Sequence, residues 1–125
     1  MQAVNKKILI IDDDARNIFA LSAVLRSRGY GCISASGMKE AFIVLMRDPG
    51  SVDIILLDMM MPDMDGYEAL PLLKENDLYA HIPIIAVTAQ AMLGDREKCL
   101  SAGADGYISK PVNIDELLPL LEQTK

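Results

Sequence analysis

The sequence predicts an α/β fold: a (βα)5 doubly wound, flavodoxin-like three-layer sandwich with a parallel sheet in the order 2-1-3-4-5. Three observations predict it. Short aliphatic runs recur at residues 7–11 (KILII), 31–35 (GCISA), 53–57 (DIILL), 83–88 (PIIAVT) and 106–109 (GYIS). The stretches between them carry apolar residues at helical spacing. The first, third and fourth runs are continuously apolar, as strands covered on both faces must be. Five strands alternating with five helices imply a parallel sheet between two helical layers, and right-handed crossovers leave few topologies.

Each element has its own warrant. Asp14 can start the first helix, Ile18, Leu21 and Leu25 mark its inner face, and Gly29 sits where it should stop. Ser36 can start the second, whose face is Met38, Ala41, Phe42 and Leu45. Asp65 with Glu68 has the spacing of a capping box for the third helix. The fourth, in AMLGDREKCLSAG, has a poor apolar stripe and an internal glycine, and Gly103 should end it. Asn113 with Glu116 repeats the box spacing before Ile114, Leu117, Leu118 and Leu121 of the fifth. Pro71 and Pro119 both fall in LPLL inside helices, where proline costs about 3 kcal/mol. A kink or a late start is expected in each.

The totals narrow the function. A chain of 125 residues is one domain, residues 1–125, with half its residues apolar. No apolar run approaches the ~20 residues of a membrane span, and MQAVNKKILII lacks the features of a signal peptide. The expectation is a cytoplasmic protein without membrane partners. A net charge of −6 argues against direct nucleic-acid binding. Cys32 and Cys99, with no CxxC, are expected as reduced, partly buried thiols.

In open parallel sheets, ligands bind beyond the carboxyl ends of the strands. The first strand ends in Asp12, Asp13 and Asp14, the third in Asp58, the fourth in Thr88, the fifth in Lys110-Pro111. In the order 2-1-3-4-5 these four strands are neighbours, so their ends share one pocket. Taken singly, each acid reads as a cap or a solvated loop residue, Lys110 as a surface lysine and Thr88 as a turn residue. Their coincidence points elsewhere. Clustered carboxylates need a cation, and oxygen ligands alone favour Mg²⁺, with Mn²⁺ as a substitute. Carboxylates, a magnesium ion, a lysine and a hydroxyl make a site for a phosphoryl group. Asp58, alone at the central strand, is the candidate nucleophile. Asp12 and Asp13 are metal-side ligands, and Asp14 is a cap.

The pieces ILIIDDD, IILLDMMMPDMDGYE, PIIAVTAQAM and AGADGYISKPV run in order along nearly the whole chain. With them the chain resembles the receiver domain of two-component response regulators. NIFALSAVL and GDREKCLSAGAD are most similar to receivers of hybrid sensor histidine kinases, so a stand-alone or an excised receiver is expected. The resemblance implies that Asp58 accepts a phosphoryl group from a histidine kinase or histidine phosphotransfer protein in a phosphorelay. Asp12, Asp13 (directly), Asp58 and the backbone carbonyl of Met60 would hold the metal. Thr88 and Lys110 would hold phosphoryl oxygens, Lys110-Pro111 would be a cis peptide, and Tyr107 would be the switch aromatic. Met61 and Pro62 would shape the loop after Asp58, and Gly66 would permit a tight turn.

Phosphorylation adds about −1.5 to −2 charge. Thr88 would move toward it, Tyr107 would turn inward, and the surface of the fourth helix, fifth strand and fifth helix would change for a downstream effector. The weak stripe of the fourth helix fits a movable element. Met60 and Gln90 flank the phosphoryl position; a bulky Met60 would hinder water, and an intermediate to long lifetime is expected. Such a domain is not an enzyme in the ordinary sense, since it catalyses only its own phosphorylation and dephosphorylation. His81 lies just before the fourth strand and reads as a loop residue.

Three other functions compete. A haloacid-dehalogenase-like aspartyl phosphatase wants a second acid two residues after the nucleophile, where this chain has Met60. A flavin-binding module wants hydroxyls and glycine after the first strand, not DDDAR. A degenerate receiver, binding partners without phosphorylation, would be missing key positions, and none is missing here.

Overall fold

The computed structural model describes residues 6–62, 64–89 and 94–123, with Pro49 by its backbone alone. The elements run β1 (Lys7–Ile11), α1 (Ala15–Ser27), β2 (Gly31–Ala35), α2 (Met38–Arg47), a 3₁₀ turn (Pro49–Ser51), β3 (Ile54–Asp58), α3 (Gly66–Glu75), β4 (Ile84–Thr88), α4 (Asp95–Ser101), β5 (Gly106–Ser109) and α5 (Ile114–Gln123). All strand pairs are parallel, in the order β2-β1-β3-β4-β5. No helix among the described residues is long and apolar enough to cross a membrane.

Strand alternation divides the core in two. Leu9, Ile11, Ile55 and Leu57 face α2, α3 and α4, against Leu45, Leu70 and Cys99. Ile8, Ile10, Ile54 and Leu56 face α1 and α5, against Leu25, Leu117 and Leu121. The helical faces read from the sequence meet these layers. Fully burying each such side chain is worth about 1.5–3 kcal/mol. Both cysteines are free, Cys99 buried and Cys32 half-buried.

The ends of the helices explain where they stop. Asp14 caps α1 by accepting from the Arg16 amide. Gly29 and Gly103 have φ of 94° and 120°. After each, the next amide reaches back to the helix: Tyr30 N–H to Leu25 C=O, and Ala104 N–H to Cys99 C=O. That closure needs the left-handed backbone that glycine adopts without strain. The Asp65–Glu68 capping box is formed.

Five expectations are corrected. The third and fourth strands each begin one residue later than expected, and β3 takes in Asp58, because Asp58 pairs with Val87 and the Met59 amide still bonds the Val87 carbonyl. Gly37, not Ser36, is the N-cap of α2; the Ser36 amide instead donates to the Glu40 carboxylate. Asn113 Oδ1 accepts from the Asp115 amide, two residues on, rather than from Glu116. Neither α3 nor α5 starts late, and each runs on through its proline to Glu75 and Gln123. Pro71 and Pro119 lie on exposed faces, where water can serve the carbonyl that loses its partner. Gly66 is the first residue of α3 without a left-handed φ; it is required because a Cβ there would collide with Met59, so the constraint is packing rather than turn geometry.

Candidate functional site

The carboxyl end of the sheet gathers the predicted side chains. Asp12 follows β1 directly, with its amide on the Ala35 carbonyl of β2 and its Oδ1 accepting from the Asp14 amide at 2.8 Å. Asp58 ends β3, and its Oδ1 accepts from the Met60 amide at 3.0 Å. Thr88 ends β4, one residue beyond Val87, the register partner of Asp58. Its carbonyl accepts the Lys110 amide at 2.7 Å, which fixes Lys110 beside the same pocket. The Lys110-Pro111 peptide is cis. Lys110 Nζ lies 3.3 Å from Asp58 Oδ2 and 3.5 Å from Asp12 Oδ2. Asp13 is exposed, yet carboxylate oxygens of Asp12, Asp13 and Asp58 all lie within 4.8 Å of one another.

The charges do not balance. Asp12, Asp58 and Thr88 are only 6%, 3% and 2% exposed. Burial pushes the Asp58 carboxyl above its ordinary range; the Met60 amide and Lys110 oppose this, while Asp12 adds to it. Burial alone would lower the Lys110 ammonium, but the Asp58 and Asp12 carboxylates outweigh it, and its pKa is raised. Among the described residues, one cation, paired with Asp12 and Asp58, thus stands against three acids, the third being Asp13. An all-oxygen donor set with surplus negative charge and no imidazole or thiolate in the group fits a hard divalent cation.

Asp12, Asp13, Asp58, Thr88 and Lys110 come together, and Asp14 stands apart as the cap. Met60 lies beside the group, half-exposed. Gln90 lies outside the described residues. Tyr107 is half-buried in β5, and its hydroxyl donates to Asp95 Oδ2 of α4 at 3.3 Å, a carboxylate outside the Asp12–Asp13–Asp58 group. His81 is in an exposed turn.

Sequence reasoning missed three features. The Met60 amide serves Asp58, a backbone role that no side-chain pattern announces. Asp95 receives Tyr107 and also Tyr67. A cavity of about 490 Å³ opens beside the acids, lined by Ala20, Leu21 and Val24 of α1 and by Pro111 and Val112 after β5.

Comparison with known proteins agrees with this geometry. The profile of the family described as "Response regulator receiver domain" matches residues 8–122. The polar-differentiation response regulator DivK of Brucella anthropi is 34% identical over 117 residues, covering 94% of each chain, and that of Brucella ovis is 32% identical over 120, covering 95% of each. Among solved structures, the receiver domain of sensor histidine kinase PA1611 from Pseudomonas aeruginosa is 35% identical with a TM-score of 0.84, over 97% of this chain and 98% of that one. It carries a magnesium ion coordinated in its active-site cleft. The Vibrio cholerae chemotaxis protein CheY4 superposes with a TM-score of 0.86 at 26% identity, covering 98% of this chain and 100% of that one.

Proposed function

We propose, for a chain that belongs to the response regulator receiver domain family and so serves two-component signalling, that Asp58 is its phosphoacceptor. The observation that carries this is Lys110 Nζ within 3.5 Å of two buried carboxylates, at a strand end flanked by Thr88.

The donor is a phosphohistidine on a histidine kinase or histidine phosphotransfer protein. A carboxylate oxygen of Asp58 attacks phosphorus, the P–N bond breaks, and the imidazole leaves with the electron pair. Burial makes the carboxylate more basic and so a better nucleophile, while Lys110 and the Met60 amide keep it oriented. Receiver domains bind Mg²⁺ at this acidic site. Asp12, Asp13, Asp58 and the Met60 carbonyl would hold it here, with Mn²⁺ as a substitute, and the bound ion would offset charge on the phosphoryl oxygens. Lys110 and Thr88 receive the remaining oxygens. Transfer then needs mainly positioning and charge neutralisation. The cavity beside Asp58 offers room for the donor's side chains between α1 and the segment after β5.

The output is a changed α4–β5–α5 surface, with Thr88 and Tyr107 as switch residues, read by an effector protein rather than by nucleic acid or membrane. The net charge of −6 supports the exclusion of nucleic acid. The domain acts in the cytoplasm and catalyses only its own phosphorylation and dephosphorylation. Met60 is 49% exposed, so its side chain can screen water at the pocket mouth. Met60→Ala should shorten the phosphoryl lifetime; an unchanged loss of phosphate rejects the screening role.

The test is direct. Incubation with Mg²⁺ and acetyl phosphate should add one phosphoryl mass to the wild type and none to Asp58→Ala. No phosphoryl increment on either protein would favour a receiver that binds without phosphorylation.

A further inference from the structure

One carboxylate outside the acidic pocket holds two tyrosines. Asp95 is the first residue of α4. Its Oδ1 accepts from the Tyr67 hydroxyl of α3 at 3.0 Å, and its Oδ2 from the Tyr107 hydroxyl of β5 at 3.3 Å. The same face of α4 grips Tyr67 twice more. Lys98 Nζ lies 4.5 Å from the centre of its ring, and Cys99 Sγ lies 3.5 Å from its hydroxyl. Residues 95, 98 and 99 follow helical i, i+3, i+4 spacing, so one turn of α4 makes all three contacts.

We propose that Asp95 is the positioning residue that couples Tyr67 to Tyr107, so that a phosphoryl group arriving at Asp58 is sensed by both tyrosines together. This rests on the reading of Asp58 as phosphoacceptor.

The connectivity argues for it. Asp58 leads through its loop into α3 and Tyr67. Tyr67 bonds Asp95, and Asp95 bonds Tyr107. Tyr107 precedes Lys110 by three residues in the chain, and Lys110 closes the ring on Asp58 at 3.3 Å. A new charge on Asp58 draws on Lys110, three residues beyond Tyr107, and Asp95 is where that load passes from Tyr107 to Tyr67.

The hydroxyls suit the role. Tyr67 is held strongly protonated, first by burial, then by its bonds to Cys99 and Asp95 and by their charges. Tyr107 is raised first by burial and then by the Asp95 charge. Both stay donors throughout the neutral range. Displacing α4 breaks a bond shared by the two rings, so neither tyrosine moves independently of the other.

Fluorine NMR of the full chain labelled with 3-fluorotyrosine reads the coupling. The four tyrosine resonances are assigned by single Tyr→Phe changes. With Mg²⁺ and acetyl phosphate, the Tyr67 and Tyr107 resonances of the wild type should both move. In Asp95→Ala, Tyr107 should still move and the displacement of Tyr67 should fall at least threefold. Asp95→Asn, which keeps the shape but offers one acceptor oxygen in place of two, should give an intermediate value and serves if the alanine variant does not fold. A wild-type Tyr67 resonance that stays fixed while Tyr107 moves overturns the proposal. So does a Tyr67 displacement in Asp95→Asn equal to that of the wild type. Mass spectra of the same samples report the phosphoryl group. Its absence from the wild type overturns the reading of Asp58, and the coupling with it. The clamp is then judged alone by absorbance titration, where Asp95→Asn should ionise Tyr67 at lower pH, and an unchanged titration overturns it.

Discussion

Two lysine–aspartate centres sit at opposite ends of the sheet, and they are built to opposite rules. At the amino end of β4 and β5, Lys74 Nζ meets Asp105 Oδ2 at 2.9 Å. It also donates to the carbonyls of Ala80 at 3.5 Å and Ile82 at 3.3 Å, which uses its three donors. The same Asp105 oxygen takes the Ile84 amide at 2.8 Å, and the Asp105 amide returns a bond to the Ile84 carbonyl at 2.7 Å. Here one cation meets one anion, and backbone carbonyls and an amide take up their remaining bonds to the protein. At the carboxyl end, Lys110 faces two buried acids with a third nearby. The same residue types give a staple where charge and hydrogen bonds close and, on the proposed function, a reactive site where a surplus of negative charge stays open to a cation and an incoming group.

Breaking each lysine separates the two roles. Lys110→Ala should slow phosphoryl uptake from acetyl phosphate by about 100-fold, as loss of a preorganised charge partner does. Lys74→Ala should leave the uptake rate within about twofold, yet lower the stability in urea by ~2 kcal/mol, since Asp105 and two carbonyls lose a donor. A Lys74 variant that takes up phosphoryl groups as poorly as the Lys110 variant would dissolve the distinction.

The smaller effects sharpen it. Asp58→Asn removes one of the crowded acids and should stabilise the chain by ~1 kcal/mol near neutral pH while abolishing uptake. Its pH dependence has a definite sign. The folded pKa of Asp58 lies above the unfolded one, so the folded state holds its proton longer. That contribution to stability is complete below the ordinary aspartate pKa of about 3.9 and is lost as pH rises through the raised folded value. Urea titrations of wild type and Asp58→Asn should therefore diverge across that window, with the variant gaining relative to wild type as pH rises. Parallel curves would mean that burial does not disfavour the Asp58 charge.

The layout of the site was legible because topology does the gathering. Aliphatic runs locate the strands, parallel order makes four of them neighbours, and the residue at or just after the end of each run falls at one edge. Asp12, Asp58, Thr88 and Lys110 needed no contact information beyond that. Asp14, Gly29, Gly103 and the Asp65–Glu68 pair were legible because caps act over a few residues. What escaped depends on partners distant in sequence. Nothing near Lys74 announces Asp105, 31 residues later. Nothing near Tyr67 announces Asp95. Gly66 looks like a turn glycine until Met59 is seen packed against it. The Ser36 cap failed because α2 starts at Met38, with Gly37 in the N-cap position and the Gly37 carbonyl accepting the Ala41 amide.

On the proposed function, the unbalanced centre, not its balanced counterpart, receives the phosphoryl group, and it does so on Asp58. Borohydride reduction of the chain after exposure to Mg²⁺ and acetyl phosphate converts an aspartyl phosphate to homoserine, which peptide mass spectrometry locates. Homoserine is expected at position 58 of the wild type, and none when magnesium is withheld. Homoserine at another aspartate, with Asp58 recovered intact, would contradict it.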